Sequence, residues 1–189
     1  MRNVLTVMLL ASAPLIHGCA AVALGGAAAT AGYVVGEDRR TVGTMAEDQA
    51  IEAKTGGRIT DKYPDAHINV TSYNRMALLT GEAPTAEAKT EIERIARAVE
   101  NVKGVYNEVR VGPPSPLSQR TNDAYITSKV KARFLDAQRF NPVNVKVVTE
   151  AGTTFLMGLV SKKEAEDATE LARTTSGVQK VVRVFEYTE

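Results

Sequence analysis

The sequence predicts an α+β protein made of two tandem copies of one small unit. Each copy is ordered helix, strand, strand, helix, strand, with a three-stranded mixed sheet on two helices. Three observations support this. Residues recur at corresponding points: Asp48-Gln-Ala-Ile51 with Asp123-Ala-Tyr-Ile126, Ile68-Asn-Val70 with Val145-Lys-Val147, Leu78-Leu79-Thr80-Gly81 with Phe155-Leu156-Met157-Gly158, and Gly104-Val105 with Gly177-Val178. Ile126, Val130, Phe134 and Ala137 fall at helical spacing and form one apolar stripe. Val143–Thr149 and Thr153–Met157 are β-branched or apolar runs around Glu150-Ala-Gly152, a hairpin pattern.

Taken in order, each copy opens with its first helix, which in the second copy covers 121–137. The two hairpin strands follow. Residues 162–175, rich in Ala, Glu and Lys, suit a second helix. Gly104 and Gly177 stand where left-handed helix caps are expected, and Val178–Tyr187 reads as the last strand. The offset between copies is 75 at Ile51 and Ile126, 77 at Gly81 and Gly158, and 73 at Gly104 and Gly177. The four residues lost in the second copy are expected to lie in the second helix. Four residues are close to one turn, so the apolar face keeps its direction. The expected domains are 44–112 and 121–189, joined by a Pro-rich linker at 113–120. A tether precedes them, and its part from Gly36 to Thr44, with Arg39 and Arg40, is expected to be extended and solvated.

The N-terminus carries a different signal. Arg2 is followed by an apolar segment from Val4 to Ala13, then by Leu15-Ile16-His17-Gly18-Cys19. This is the layout of a bacterial lipoprotein signal peptide at 1–18, cleaved before a cysteine that receives acyl chains. Residues 19–43 are then a lipidated N-terminus and flexible tether. The apolar run before Cys19 is too short to span a bilayer, which needs about 20 residues. Cys19 is the chain's one cysteine, and lipidation consumes it, so neither a disulfide nor thiol catalysis within the chain is expected. Net charge is +1, and cleavage removes Arg2; a general polyanion binder has a clear basic excess.

The unit resembles the BON domain, and the whole chain resembles the dual-BON outer-membrane lipoproteins. The residues that carry the likeness are Asp38-Arg-Arg-Thr-Val-Gly43-Thr, Ile68-Asn-Val70-Thr, Val105-Tyr-Asn-Glu-Val109, Asn122-Asp123, Ile126-Thr, Ser128-Lys-Val130 and Phe155-Leu-Met-Gly-Leu159-Val. The resemblance implies a periplasm-facing lipoprotein that preserves outer-membrane integrity, with N-acyl and S-diacylglycerol lipid on Cys19. Ala20 after the cysteine, in place of Asp, implies sorting to the outer membrane. The resemblance also implies that the first helix of the second BON domain meets anionic phospholipid through an aromatic residue. The family has Trp there; this chain has Tyr125.

A helical wheel at roughly 100° per residue turns Tyr125 away from the Ile126–Val130–Phe134 stripe. Lys129, Ala132 and Asp136 lie near it with Ser128 beside them, Arg133 borders the stripe and Leu135 falls outside it. The expected phospholipid-binding set is Tyr125, Ser128, Lys129, Ala132 and Arg133. A tyrosine buries its ring and keeps its hydroxyl wet, and a lysine gains about 1 kcal/mol at an anionic surface. The first copy has Ala50 and Glu52 at the positions of Tyr125 and Thr127, which suggests divided roles. Two other readings stay open: Tyr125 packs on the other domain or the linker, or the chain is a protein-interaction adaptor for outer-membrane assembly or the envelope stress response.

No catalytic residue, cofactor or metal is expected. His67 is the one histidine after Cys19, has no cysteine or second histidine nearby and reads as a surface residue. No nucleophile elbow or phosphate loop occurs. Nucleic-acid binding, suggested by the KH-like order of elements, is opposed by the near-neutral charge, the missing GXXG loop and the export signal. The chain reads as a non-enzyme.

Overall fold

The computed structural model describes residues 38–189. The signal peptide, Cys19 and the tether up to residue 37 lie outside them. The first domain comprises α1 (Val42–Lys62), β1 (His67–Tyr73), β2 (Met76–Ala83), α2 (Ala86–Arg97), β3 (Gly104–Asn107) and β4 (Arg110–Val111). The second comprises α3 (Leu117–Ala137), a 3-10 turn (Pro142–Asn144), β5 (Val145–Glu150), β6 (Thr153–Val160), α4 (Lys162–Arg173) and β7 (Lys180–Tyr187). The predicted α+β repeat is present. Strand orders are β1-β2-β3 and β5-β6-β7, with an antiparallel hairpin and a parallel third strand in each sheet.

The first sheet also gains β4, which pairs with β2. Leu79 opposes Asn107 and Glu82 opposes Arg110, the same register on both sides of the gap. β3 and β4 are therefore one edge strand interrupted at Glu108 and Val109, where β7 runs unbroken.

One device recurs in both copies. The hairpin turns are Asn74-Arg75 and Ala151-Gly152, and all four residues have positive φ. Two-residue turns with that backbone match the twist of the strands but strain any residue with a Cβ. A buried aspartate on the first helix of each copy holds its turn. Asp48 accepts hydrogen bonds from the Asn74 and Arg75 amides at 2.9 and 2.7 Å, and from Ser72 Oγ at 2.7 Å. Asp123 accepts from the Ala151 and Gly152 amides, both at 2.9 Å. Gly81 and Gly158 are matched for a steric reason. A Cβ on Gly81 would stand 2.0 Å from the His67 carbonyl oxygen, and one on Gly158 2.4 Å from that of Asn144.

Helices cover one face of each sheet. Ile59, Leu79, Ala83, Ile92 and Ala96 fill the first helix–sheet core. Val130, Phe134, Val145, Val147, Leu156, Val160 and Leu171 fill the second. The other faces cover each other: Tyr73 and Leu78 of the first sheet pack with Phe155, Met157 and Val184 of the second. The result is four layers, helices, sheet, sheet, helices. Polar contacts frame this seam. Tyr73 Oη donates to the Asn144 carbonyl at 3.2 Å, Lys146 Nζ to Glu52 at 2.7 Å, and Asn74 Nδ2 to Glu186 at 3.0 Å.

Several expectations are corrected. Residues 38–44 are not an extended, solvated tether: α1 begins at Val42, capped by Thr41, and both arginines before it are engaged. Arg39 makes a bidentate pair with Glu164 of the second domain at 2.7 and 3.0 Å and donates to the Leu159 carbonyl at 2.8 Å. Arg40 bonds Asp38 and Asp48 and lies 3.9 Å over the Tyr73 ring. Burial pushes the Tyr73 phenol up to about 12. The linker does not extend through residue 120, because α3 starts at Leu117. Gly104 caps no helix; it opens β3, where a Cβ would meet the Met76 side chain. Gly177 does have a left-handed φ of 99°, but its counterpart is Asn101 at φ 68°, and both second helices are 12 residues long, so no helical turn is lost between the copies.

Asp123→Ala leaves two amides of the second hairpin turn without their acceptor and should cost about 3 kcal/mol in urea unfolding. The Arg39–Glu164 pair should show as acid sensitivity. The hydrogen bond from Arg39 holds the Glu164 carboxyl below its ordinary range. Its contribution is complete above the unfolded value of about 4.3. It is lost as pH falls through the lower folded value. Glu164→Gln should therefore flatten the decline in thermal stability below about pH 4.3.

Candidate functional site

Helix α3 is 21 residues long and divides its faces sharply. Asp123, Ile126, Val130 and Phe134 are buried against the sheet. On the other side Leu117, Tyr125 and Leu135 are 71%, 62% and 63% exposed. Leu117 and Leu135 are 18 residues apart, five full turns, so they lie on one line about 27 Å long. Tyr125 stands between them, about 80° around the axis. Thr121, Ala124, Ser128 and Ala132 fill the row with small exposed side chains.

The expected residues separate into two groups. Tyr125, Ser128 and Ala132 are on the exposed face. Lys129 and Arg133 are turned inward to the end of α4. Lys129 Nζ donates to the Ser176 carbonyl and sits 4.7 Å over the Tyr125 ring. Arg133 Nη1 donates to the Leu171 carbonyl at 2.9 Å and to the Thr174 and Thr175 hydroxyls at 2.9 and 3.0 Å. Both cations answer the negative end of a helix dipole and its open carbonyls. Ser128 Oγ donates to the Ala124 carbonyl of its own helix at 3.0 Å.

Two members of the outer face were not read from the sequence. Leu117 was assigned to the linker, and its match to Leu135 at five turns was the available signal. Lys131 is exposed beside Leu135 and forms no ion pair among the described residues. It also borders an apolar cleft of about 210 Å³ walled by Phe134, Leu135, Pro142, Val143 and Val145. Tyr125 does not pack on the first domain, because the two domains meet through their sheets and α3 lies on the opposite side of its own sheet.

His67 departs from its expected surface position. Its side chain is 14% exposed, and Nδ1 lies 3.0 Å from Glu82 Oε2. No helix among the described residues is long and apolar enough to cross a membrane.

The αββαβ order, its duplication and the sheet-to-sheet seam define a two-domain scaffold. The BON domain family matches residues 47–113 and 122–189. The chain belongs to the BON domain family, with two copies of the domain. It is 34% identical to "Outer membrane lipoprotein DolP" of Haemophilus influenzae over 183 residues, covering 95% of this chain and 94% of that one. It is 35% identical to a "21 kDa hemolysin" of Actinobacillus pleuropneumoniae over 155 residues, 80% of each chain. It is 28% identical to "Osmotically-inducible protein Y" of Escherichia coli over 157 residues, 80% of this chain and 78% of that one.

Arg133→Ala removes three hydrogen bonds from the end of α4. We expect a loss of about 2 kcal/mol in denaturant unfolding, whereas Lys131→Ala should stay within about 0.5 kcal/mol of the parent.

Proposed function

We propose that this chain is an outer-membrane lipoprotein, anchored through lipid on Cys19 and facing the periplasm. It rests helix α3 on anionic phospholipid and supports the integrity of the membrane. The observation that carries this reading is the exposed row Leu117, Tyr125 and Leu135 on one helix, with Lys131 beside it. The name of the Haemophilus influenzae relative, an outer membrane lipoprotein, supports the location.

The energetics suit an anchored protein. Partial burial of three such side chains gives on the order of 4 kcal/mol, which corresponds to millimolar binding. Lys131 adds about 1 kcal/mol at an anionic surface. A lipid tether raises the local concentration, so contacts this weak suffice. The small residues between the three anchors let the helix backbone approach the headgroup layer. Lys129 and Arg133 hold the helix in place, and the attraction to phosphate falls to Lys131. The Tyr125 ring is steadied by Lys129 and keeps its hydroxyl toward water.

Vesicle flotation of residues 37–189, made without the anchor, tests this. The parent should float with vesicles containing phosphatidylglycerol and not with pure phosphatidylcholine. Tyr125→Glu combined with Leu135→Glu should reduce flotation at least tenfold. Equal flotation of both forms would sink the assignment of this face, and protein adducts alone from a crosslinker at position 125 would favour an adaptor.

A further inference from the structure

We propose that the seam between the two domains holds a divalent metal site of the zinc class, formed by His67, Glu82 and Glu150. One ligand atom from each residue lies within 4.8 Å of the other two. The three residues come from β1, β2 and β5, so the site draws on both domains. The β1–β2 hairpin register sets His67 opposite Glu82, and the stacking of the sheets adds Glu150.

The charge balance favours a cation. Glu82 and Glu150 are 3% and 7% exposed. Arg110 pairs with Glu82, but among the described residues no lysine or arginine pairs with Glu150. Glu150 Oε2 accepts only from neutral groups, Asn69 Nδ2 at 2.8 Å and Thr80 Oγ1 at 3.4 Å. A buried carboxylate without a positive partner is costly, and a divalent ion supplies the missing charge.

The donor set selects the ion. One imidazole nitrogen and two carboxylates, with a fourth position left to water, suit zinc. Calcium and magnesium favour all-oxygen shells, so the imidazole nitrogen selects against them. His67 Nδ1 and Glu82 Oε2 are hydrogen-bonded at 3.0 Å, and tetrahedral zinc would replace that bond by parting them to about 3.3 Å. Coordination through one ring nitrogen leaves the imidazole proton on the other. The surrounding bonds orient the ligands: Arg110 and the Ser115 amide hold Glu82, and Asn69 and Thr80 hold Glu150. A cleft of about 360 Å³, lined by Asp65, Pro84, Gly112 and Pro113, opens beside Glu82 and gives a path from solvent. An ion bound here would staple the domains together.

The test uses the whole chain in detergent, stripped with a chelator and titrated with zinc, calcium or magnesium chloride. We expect one zinc per chain, a higher Tm with zinc, and an X-ray absorption spectrum with nitrogen and oxygen ligands at about 2.0–2.1 Å and no sulfur. His67→Gln and Glu150→Gln should each weaken zinc binding at least tenfold while keeping the parent's metal-free circular dichroism. If one variant does not fold, the other decides. Absence of stoichiometric zinc, a sulfur ligand, equal affinity for calcium or magnesium, or parental affinity in a folded variant would overturn the site.

Discussion

Strands β2 and β6 are buried along almost their whole length, so neither sheet can leave its second face in water. The α2 side of β2 takes Leu79 and Ala83, and the opposite side presents Leu78. In β6, Leu156 and Val160 face the helices, while Phe155 and Met157 face away from them. A lone αββαβ unit would expose that second set. Stacking one sheet on the other covers both at once, and the arrangement of every other part follows from it. Helices are forced to the two outer layers, and the strand surfaces that carry Asn69, Thr80, Glu82 and Glu150 are enclosed.

The two copies have diverged around this shared constraint. Both keep the aspartate that holds the hairpin turn, because both turns need φ above zero at two residues. Beyond that they differ. Glu52 on α1 serves the seam, accepting from Lys146 and the Ser72 amide. The matching part of α3 carries Tyr125 and Thr127 and leaves its outer face open. Arg39 and Arg40 lie against both domains before α1 begins, so residues 39 and 40 are held at the seam.

Much of the proposed lipid face could be read along the helix. Tyr125 points away from the core because it sits next to Ile126 on a helix whose buried residues recur every three or four positions. Lys129 and Arg133 could not be placed this way. On the wheel they flank the exposed face, but long basic side chains bend toward the nearest acceptors, here the open carbonyls ending α4. Leu117 was missed because three prolines before it suggested a linker. Pro116 in fact occupies the position just before the first helical residue, where its missing amide costs nothing.

The sequence by itself determined the repeat, the order of elements, the hairpins and the inner face of α3. Each of these is a local pattern of period two or 3.6, or a match between two stretches of one chain. The tertiary structure alone decided that the sheets stack, that residues 38–41 clasp both domains, and that Glu150 joins His67 and Glu82. They rest on contacts far apart in the chain, such as Asn69 with Glu150, 81 positions apart, and Arg39 with Glu164, 125 apart. Side-chain periodicity says which face of a strand is apolar, but it cannot say which other surface will cover it.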